Sequence, residues 1–186
     1  MSTLDRFASI LSAAAAVLVP LSASADEDAF GTAATDEDVQ RVWLTVMPDG
    51  ANLPQGSGTA RDGKPLYDLH CASCHGFDGE GTLANRVAGG RGTLASDAPV
   101  KTVGSYWPTA TTVFDYVRRS MPYQAPMSLT NDDYYAITAY LLHLNDIVAV
   151  DAVIDAESLP AVAMPNRDGF VDAYPKIPPA YDYRED

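Results

Sequence analysis

The sequence predicts an all-α fold with about three core helices, and three observations support this prediction. Residues 62–74, 111–120 and 130–145 each place apolar side chains at helical spacing behind a residue that can cap a first turn. Glycine-rich and proline-rich stretches separate or follow these segments. We find no alternation of strands and helices that would indicate a βαβ unit. The 186 residues provide enough chain for one substantial core.

The first 25 residues have the pattern of a secretory signal peptide. Arg6 precedes an apolar, alanine-rich run over residues 10–21, and Ala23-Ser24-Ala25 forms an A-x-A cleavage site. The apolar run is too short to span a bilayer. We therefore expect residues 1–25 to be removed, a mature chain that begins at Asp26, and no membrane span.

The formal charge of −13 is concentrated in the two ends of the chain. Residues 26–60 hold one basic and seven acidic side chains, residues 61–119 hold seven and six, and residues 120–186 hold three and eleven. Nucleic-acid binding needs a concentrated basic face, so we expect no nucleic-acid partner. The acidic ends either bind a partner or only confer solubility, and composition does not separate these alternatives.

Residues 26–60 are predicted to form an acidic, extended arm. Residues 39–47 are rich in β-branched and apolar side chains and end at the turn Pro48-Asp49-Gly50. Trp43 is the expected anchor of this arm on the domain.

The first predicted helix, 62–74, runs into the motif Cys71-Ala72-Ser73-Cys74-His75, and Asp62 or Gly63 can cap it. C-x-x-C-H is the attachment signature of c-type haem. Residues three apart lie on one helical face, so the sulfurs of Cys71 and Cys74 can both bond to one porphyrin. His75 can then give its imidazole to the iron as proximal ligand. His70 is expected to pack or to face solvent.

Other uses of this motif fit less well. A structural zinc site needs four ligands, and the chain has only two cysteines and three histidines, with His143 on a different predicted helix. A redox dithiol belongs after a strand of a βαβ unit, and a simple disulfide would leave His75 without a role. The motif therefore predicts one covalently attached haem c. Together with the signal peptide, it indicates a periplasmic protein.

Residues 77–103 are rich in glycine and suit a loop around a large flat ligand better than a core. Arg91 and Lys101 are candidates to pair with haem propionates, although a solvated charge is an equal alternative for each. Trp107 can pack on the ring edge or donate to a propionate.

The two later helices are predicted with their inward faces. Thr109 or Thr111 can start the helix over 111–120, and Thr130 with Asp133 forms a capping box for the helix over 130–145. The expected inward residues are Val113, Phe114, Val117, Tyr134, Ile137, Tyr140, Leu141 and Leu144. Ala136 and Ala139 are small enough for another helix to approach closely. The proline-rich residues 148–186 are expected to wrap the domain.

Residues 61–147 resemble a class I cytochrome c domain in the order of their helices, loops and motifs. The resemblance extends to the cytochrome c subunits of bacterial sulfite and sulfane dehydrogenases of sulfur oxidation. It rests on residues 99–108 (PVKTVGSYWP), 114–122 (FDYVRRSMP), 128–132, 139–145 and 164–170 (MPNRDGF), and on the arm around Pro48. It implies that a molybdenum-cofactor subunit donates electrons to the protein and that a downstream cytochrome or terminal oxidase accepts them.

The resemblance also bears on the iron ligands. Met121 matches the family's Arg-Arg-x-Met-Pro pattern and is the expected distal ligand, since a thioether suits electron transfer. Met127, in the same loop, is the second candidate. Met47, Met164 and an unoccupied sixth position on the iron are the remaining alternatives. Small cytochromes c carry a proline whose carbonyl orients the proximal histidine. None occurs between Gly76 and Asp97, so another carbonyl must accept the N–H of His75.

The expected function is one-electron transfer rather than catalysis. With His75 and Met121 both bound, the iron has no free position, and we recognise no nucleophile–base pair in the sequence. Two alternatives stay open. The protein could accept electrons from another periplasmic dehydrogenase, such as a quinoprotein, or it could be a haem sensor or small peroxidase with an open sixth position.

Overall fold

A computed structural model describes residues 31–171, so the predicted signal peptide and residues 172–186 lie outside the described part. Within it there are five α-helices, which are α1 (Asp36–Val42), α2 (Ala60–His70), α3 (Ala72–His75), α4 (Ala110–Ser120) and α5 (Asn131–Leu144). Two short strands, β1 (Ser57–Gly58) and β2 (Ile154–Asp155), and a 3₁₀ turn at Leu159–Ala161 complete the described secondary structure. The predicted all-α class is confirmed.

The chain divides into two compact units, with the boundary after Val39. In the first unit, Thr35 caps α1, because its hydroxyl accepts from the Asp38 amide at 3.2 Å while the Asp38 carboxylate accepts from the Thr35 amide at 3.1 Å. The second unit contains α2 to α5, both strands and the core.

Helix α5 is the centre of the second unit. The predicted inward residues of α5 are buried or half-buried, and so are Tyr135, Thr138 and Leu142, so the helix is enclosed on more sides than its predicted stripe requires. It packs against α2, α4 and β1. The capping box of Thr130 and Asp133 is present, as the sequence predicted.

Helices α2 and α5 approach each other at a glycine. A Cβ atom placed on Gly63 would overlap the carbonyl of Ala136, and one placed on Gly58 would overlap the Ala136 backbone. The close approach predicted at Ala136 is therefore present. It depends on two glycines that the sequence did not single out as packing positions.

The start and end of α2 differ from the prediction. Thr59, not Asp62 or Gly63, is the N-cap, and its side chain accepts from the Asp62 amide. The helix stops at His70, since Cys71 leaves helical geometry at φ −125° and ψ −38°, and α3 then begins as a separate short helix. Pro65 lies in the interior of α2.

Two parts of the arm prediction are wrong, because residues 36–42 are not extended and Trp43 is not an anchor. Residues 36–42 form α1, and Trp43 has 49% of its surface exposed. Val46, only 4% exposed, is the residue of this segment that enters the core. The backbone N–H of Val46 donates to a carboxylate oxygen of Asp115 on α4 at 2.8 Å.

Asp115 is buried and accepts three hydrogen bonds. Besides Val46, Arg119 donates one through Nε at 2.8 Å and another through Nη2. Burial alone would raise the pKa of Asp115. The hydrogen bonds from Arg119 and Val46 and the positive charges of Arg119 and Arg118 outweigh burial, so the pKa lies below its ordinary value of 3.8.

We expect Asp115→Asn to lower the free energy of unfolding by roughly 1–3 kcal/mol at neutral pH, because charged hydrogen bonds are lost. A carboxyl whose pKa is lowered by folding contributes its stabilisation above its ordinary pKa and loses it as the pH falls through the folded value. The difference from wild type should therefore shrink below the ordinary pKa of an aspartate. Urea unfolding at neutral and acidic pH measures it. Asp68→Asn, which breaks the exposed ion pair with Lys64, is the control and should cost well under 1 kcal/mol.

The described part of the tail belongs to the second unit and packs onto its core. Strand β2 pairs antiparallel with β1, with Ser57 opposite Asp155 and Gly58 opposite Ile154. Leu159 and Met164 are buried in the core. Within residues 31–171, no helix combines the length and the apolarity needed to cross a membrane.

Candidate functional site

A cavity of about 550 Å³ lies beside the C-x-x-C-H motif. Its wall is formed by the motif with the end of α2, by the glycine-rich loop after it, by α4 with the loop that follows, and by two residues of α5. The cavity volume is in the range of ligand pockets, roughly 300–1,000 Å³. The lining residues include Tyr67, His70, Cys71, Cys74, His75, Asn85, Val87, Lys101, Trp107, Val117, Met121 and Leu141.

The break between α2 and α3 presents the two cysteines to this cavity. Cys71 closes α2, and its carbonyl accepts from the amides of Cys74 and His75 at 3.1 and 3.0 Å, which starts α3. Both thiols are free and half-buried. Burial, with a smaller contribution from Cys74, raises the pKa of the Cys71 thiol to about 11. The chain therefore holds Cys71 as a neutral thiol beside an apolar cavity.

The ring of His75 is oriented by a backbone carbonyl. Its Nδ1 lies 2.7 Å from the carbonyl oxygen of Asn85. A carbonyl can only accept, so Nδ1 carries the proton and the lone pair is on Nε2. This is the arrangement a metal-ligating histidine requires, with the second nitrogen fixed by an outer hydrogen bond. Asn85 thus supplies the carbonyl that the absence of a proline had left unassigned.

The loop that carries Asn85 is held to α3 by its own backbone. The carbonyl of Cys74 accepts from the Ala84 amide and from the Thr82 hydroxyl, both at 2.8 Å, and the carbonyl of His75 accepts from the Gly81 amide at 2.7 Å. Gly81 has φ +86°, a left-handed conformation that favours glycine. The loop therefore folds back over the last turn of α3 and brings the Asn85 carbonyl to His75.

The structure separates the candidate methionines. Met121 is half-buried, closes α4 as its C-cap and lines the cavity. Met127 is 44% exposed and does not line the cavity, Met164 is buried in the core away from it, and Met47 is exposed. Among the methionines of the described residues, Met121 alone shares the cavity with Cys71, Cys74 and His75.

Comparisons with known proteins agree with this site. The cytochrome c family model matches residues 60–145, which include the motif, α4 and α5. In the crystal structure of the sulfane dehydrogenase SoxCD from Paracoccus pantotrophus, one chain is 42% identical to this one with a TM-score of 0.71. The match covers 82% of this chain and 80% of that chain. This chain belongs to the cytochrome c family.

A second solved structure is more distant from this cytochrome. The thiosulfate dehydrogenase TsdBA from Marichromatium purpuratum is 22% identical, with a TM-score of 0.35, over 48% of this chain and 20% of that chain. This identity and this TM-score are too low to indicate a relationship. The likeness to the SoxCD chain is much stronger, and it confirms the resemblance to sulfane dehydrogenase cytochromes that the sequence motifs indicated.

The residues of the cytochrome fit the haem c that its family binds. Two free thiols, an imidazole with its lone pair on Nε2, and a thioether line one cavity whose wall is mostly apolar. These are the donor types that c-type haem uses, and sulfur and nitrogen donors suit an iron porphyrin. The donor set and the cavity volume are thus consistent with one haem.

The three further candidates for haem contacts separate into two groups. Lys101 and Trp107 line the cavity, and Lys101 Nζ also lies 5.0 Å from the ring centroid of Tyr106. Arg91 does not line it. Its guanidinium donates at 2.7 Å to the carbonyl of Asn145 at the end of α5, where a positive charge is favourable.

Sequence reasoning missed several residues of this site. His70 lines the cavity, although we expected it to pack or to face solvent. Tyr67 also lines it, and its hydroxyl donates to the Gly76 carbonyl at 2.8 Å; burial raises the pKa of Tyr67 and keeps it a donor. The sequence carries no signal for a phenol that reaches a backbone carbonyl nine residues later.

Asn145 was also missed as a site residue. Its side chain is buried and makes three hydrogen bonds, accepting from the Gly89 amide at 3.1 Å and donating to the carbonyls of Val87 and Leu141 at 3.1 and 2.9 Å. It therefore ties the glycine-rich loop to the end of α5. Its position just after the last helical residue was the available signal, but such a position predicts a cap and not a tie to a distant loop.

Proposed function

We propose that this cytochrome accepts electrons from a periplasmic molybdenum-cofactor sulfite or sulfane dehydrogenase and passes them to a downstream cytochrome or terminal oxidase. One observation carries the choice of donor. The family model matches residues 60–145, which is less than half of the chain, whereas the likeness to the SoxCD chain covers 82% of it. The likeness therefore includes segments outside the haem domain, and those segments are not needed for haem binding alone.

We assign the site residues as follows. Cys71 and Cys74 would form the thioether bonds to the haem, His75 would bind its iron through Nε2 as proximal ligand, and Met121 would bind it as distal ligand. When bound, the haem supplies a one-electron Fe(III)/Fe(II) couple. Lys101 and Trp107 contact the propionates or the ring edge. Arg91 has no part in this assignment, since its guanidinium is engaged at the end of α5.

The protein residues then have three tasks in electron transfer. The Asn85 carbonyl holds the His75 ring in one orientation and keeps the proton on Nδ1. Apolar residues of α4 and α5, among them Val117 and Leu141, exclude water from the cavity and keep the environment of the iron apolar. With both His75 and Met121 bound to it, the iron would have no position for a substrate, which would favour outer-sphere transfer over catalysis.

The proposal includes export. Residues 1–25 have the pattern of a signal peptide, and c-type haem is attached on the outer side of the bacterial inner membrane. A periplasmic location would place the cytochrome beside a periplasmic dehydrogenase.

Reconstitution tests the donor. We expect sulfite, or a protein-bound sulfane sulfur, to reduce the haem rapidly when the candidate molybdenum subunit is added, as followed by absorbance. The controls omit either the substrate or the enzyme. A quinoprotein alcohol dehydrogenase with its alcohol is the matched alternative donor. Haem reduction no faster than without enzyme would contradict the proposal. Rapid reduction by the quinoprotein alone would show that the cytochrome accepts electrons from a quinoprotein dehydrogenase instead.

A further inference from the structure

The backbone of Met121 is held from two helices. Its amide donates to the Val117 carbonyl at 3.0 Å, as the C-cap of α4. Its carbonyl accepts from the hydroxyl of Tyr134, on the first turns of α5, at 3.2 Å. Among the hydrogen bonds of residues 31–171, the one from Tyr134 is the only side-chain bond to the Met121 backbone.

The hydroxyl of Tyr134 also holds the other end of the same loop. The Leu129 amide donates to it at 3.4 Å, just before the capping box that starts α5. One phenol thus links the first residue of the loop, Met121, to its last residues. Between them the loop is mostly exposed, so this link lies under a surface segment.

Tyr134 itself is fixed. Only 1% of its surface is exposed, and it lies in the enclosed part of α5 directly behind a complete capping box. A rigid helix therefore presents the hydroxyl, whereas the loop that it contacts has few other restraints. The Met127 amide adds one, by donating to the Arg118 carbonyl at 3.2 Å.

We propose that Tyr134 is a positioning residue for the distal ligand, because it holds the backbone of Met121 where that residue lines the cavity. This inference rests on the proposed role of Met121. Without the phenol hydroxyl, the loop from Met121 to Leu129 is freer to move, and the thioether leaves the iron more often. An added ligand then competes more successfully for the same position.

The next residue on the helix provides a matched control. Tyr135 is also fully buried, and its hydroxyl also donates to one backbone carbonyl, that of Pro54, at 2.8 Å. Pro54 and Tyr135 do not line the cavity. Both variants therefore remove a buried phenol hydroxyl and its bond to a backbone carbonyl, that of Met121 in Tyr134→Phe and that of Pro54 in Tyr135→Phe. Tyr134→Phe also removes the bond from the Leu129 amide.

The test uses the haem-loaded protein and imidazole as the competing ligand. We expect Tyr134→Phe to raise the apparent imidazole affinity roughly two- to tenfold, the range that one hydrogen bond corresponds to. The far-red methionine–iron absorption band should also disappear at a lower temperature. In Tyr135→Phe, both quantities should stay near wild type even though global stability to urea falls. Faster amide exchange at Leu129 in Tyr134→Phe would report the lost hydroxyl directly.

Equal imidazole affinities in the two variants would overturn the role of Tyr134, as would a wild-type affinity in Tyr134→Phe. The ligand assignment is checked separately with Met121→Ala. If that variant keeps the far-red band, the distal ligand is not Met121 and the basis of the inference fails. If it loses the band while Tyr134→Phe behaves like Tyr135→Phe, the ligand assignment stands and only the positioning role is lost.

Discussion

Met121→Ala is expected to convert the low-spin haem of this cytochrome into one with an accessible sixth position. The variant should lose the far-red methionine–iron band and bind carbon monoxide rapidly when reduced. The reduction potential should fall on the order of 0.1 V or more, within the ~0.8 V over which axial ligands tune haem potentials. The physical reason is that a thioether stabilises the reduced iron, and alanine provides no replacement donor.

Met127→Ala is the control for this prediction. Met127 belongs to the same loop, but its side chain is largely exposed and does not line the cavity. Its removal should leave the band and the potential near wild type. The opposite result, with the band lost in Met127→Ala and kept in Met121→Ala, would reverse the assignment. Rapid carbon monoxide binding by the wild type would instead favour a haem sensor or a peroxidase.

The parts of the site that were predictable from sequence are those with local causes. C-x-x-C-H identifies the haem-binding residues because the five positions are consecutive in the sequence. The capping box of Thr130 and Asp133 is equally local and is present. The similarity to sulfane dehydrogenase cytochromes added Met121, which no spacing rule selects from the four methionines after the signal peptide.

The parts that were not predictable depend on the backbone or on distant residues. The partner of His75 is the carbonyl of Asn85, and every residue type carries a carbonyl, so no residue identity marks it. Arg91 was considered for a propionate because of its charge, yet the end of α5 provides a carbonyl 54 residues away in sequence. In both cases the fold of the loop, and not the chemistry of one side chain, decides the partner.

The arm shows the limit of pattern reading in a different way. Its β-branched and apolar residues predicted an extended segment, but α1 covers residues 36–42. Three acidic residues in the first turn of α1 favour the helix N-terminus and compete with the strand propensity of the residues that follow. The hydrogen bond of Val46 to Asp115 and those from α5 to the carbonyls of Gln55 and Pro54 then replace the expected anchoring by Trp43.

Both proposed axial ligands precede α5 in sequence, and each depends on a residue of α5 or of its C-cap. Tyr134, near the start of the helix, holds the Met121 backbone, and Asn145, at its end, holds the loop that orients His75. A central helix that is enclosed on all sides is the most rigid element available for this purpose. It therefore gives both ligand-bearing loops a common frame.

Asn145→Ala is expected to lower the free energy of unfolding by roughly 2–4 kcal/mol, since three hydrogen bonds are lost and the Gly89 amide and two carbonyls are left inside the protein without that partner. Val87 and Gly89 follow Asn85 closely, so the variant should also loosen the orientation of His75. Urea unfolding measures the first effect. A broadened low-spin haem spectrum, or a changed potential, reports the second.

Asn131→Ala, at the other end of α5, separates these effects from a general loss of helix stability. The Asn131 side chain donates one exposed hydrogen bond, to the Gln55 carbonyl at 3.1 Å, and its loss should cost about 1 kcal/mol or less. It should leave the haem spectrum unchanged. Equal losses of stability in the two variants would show that the tie between α5 and the glycine-rich loop is weak. A destabilised Asn145→Ala with a wild-type spectrum would show that the loop keeps the Asn85 carbonyl in place through its bonds to α3 alone.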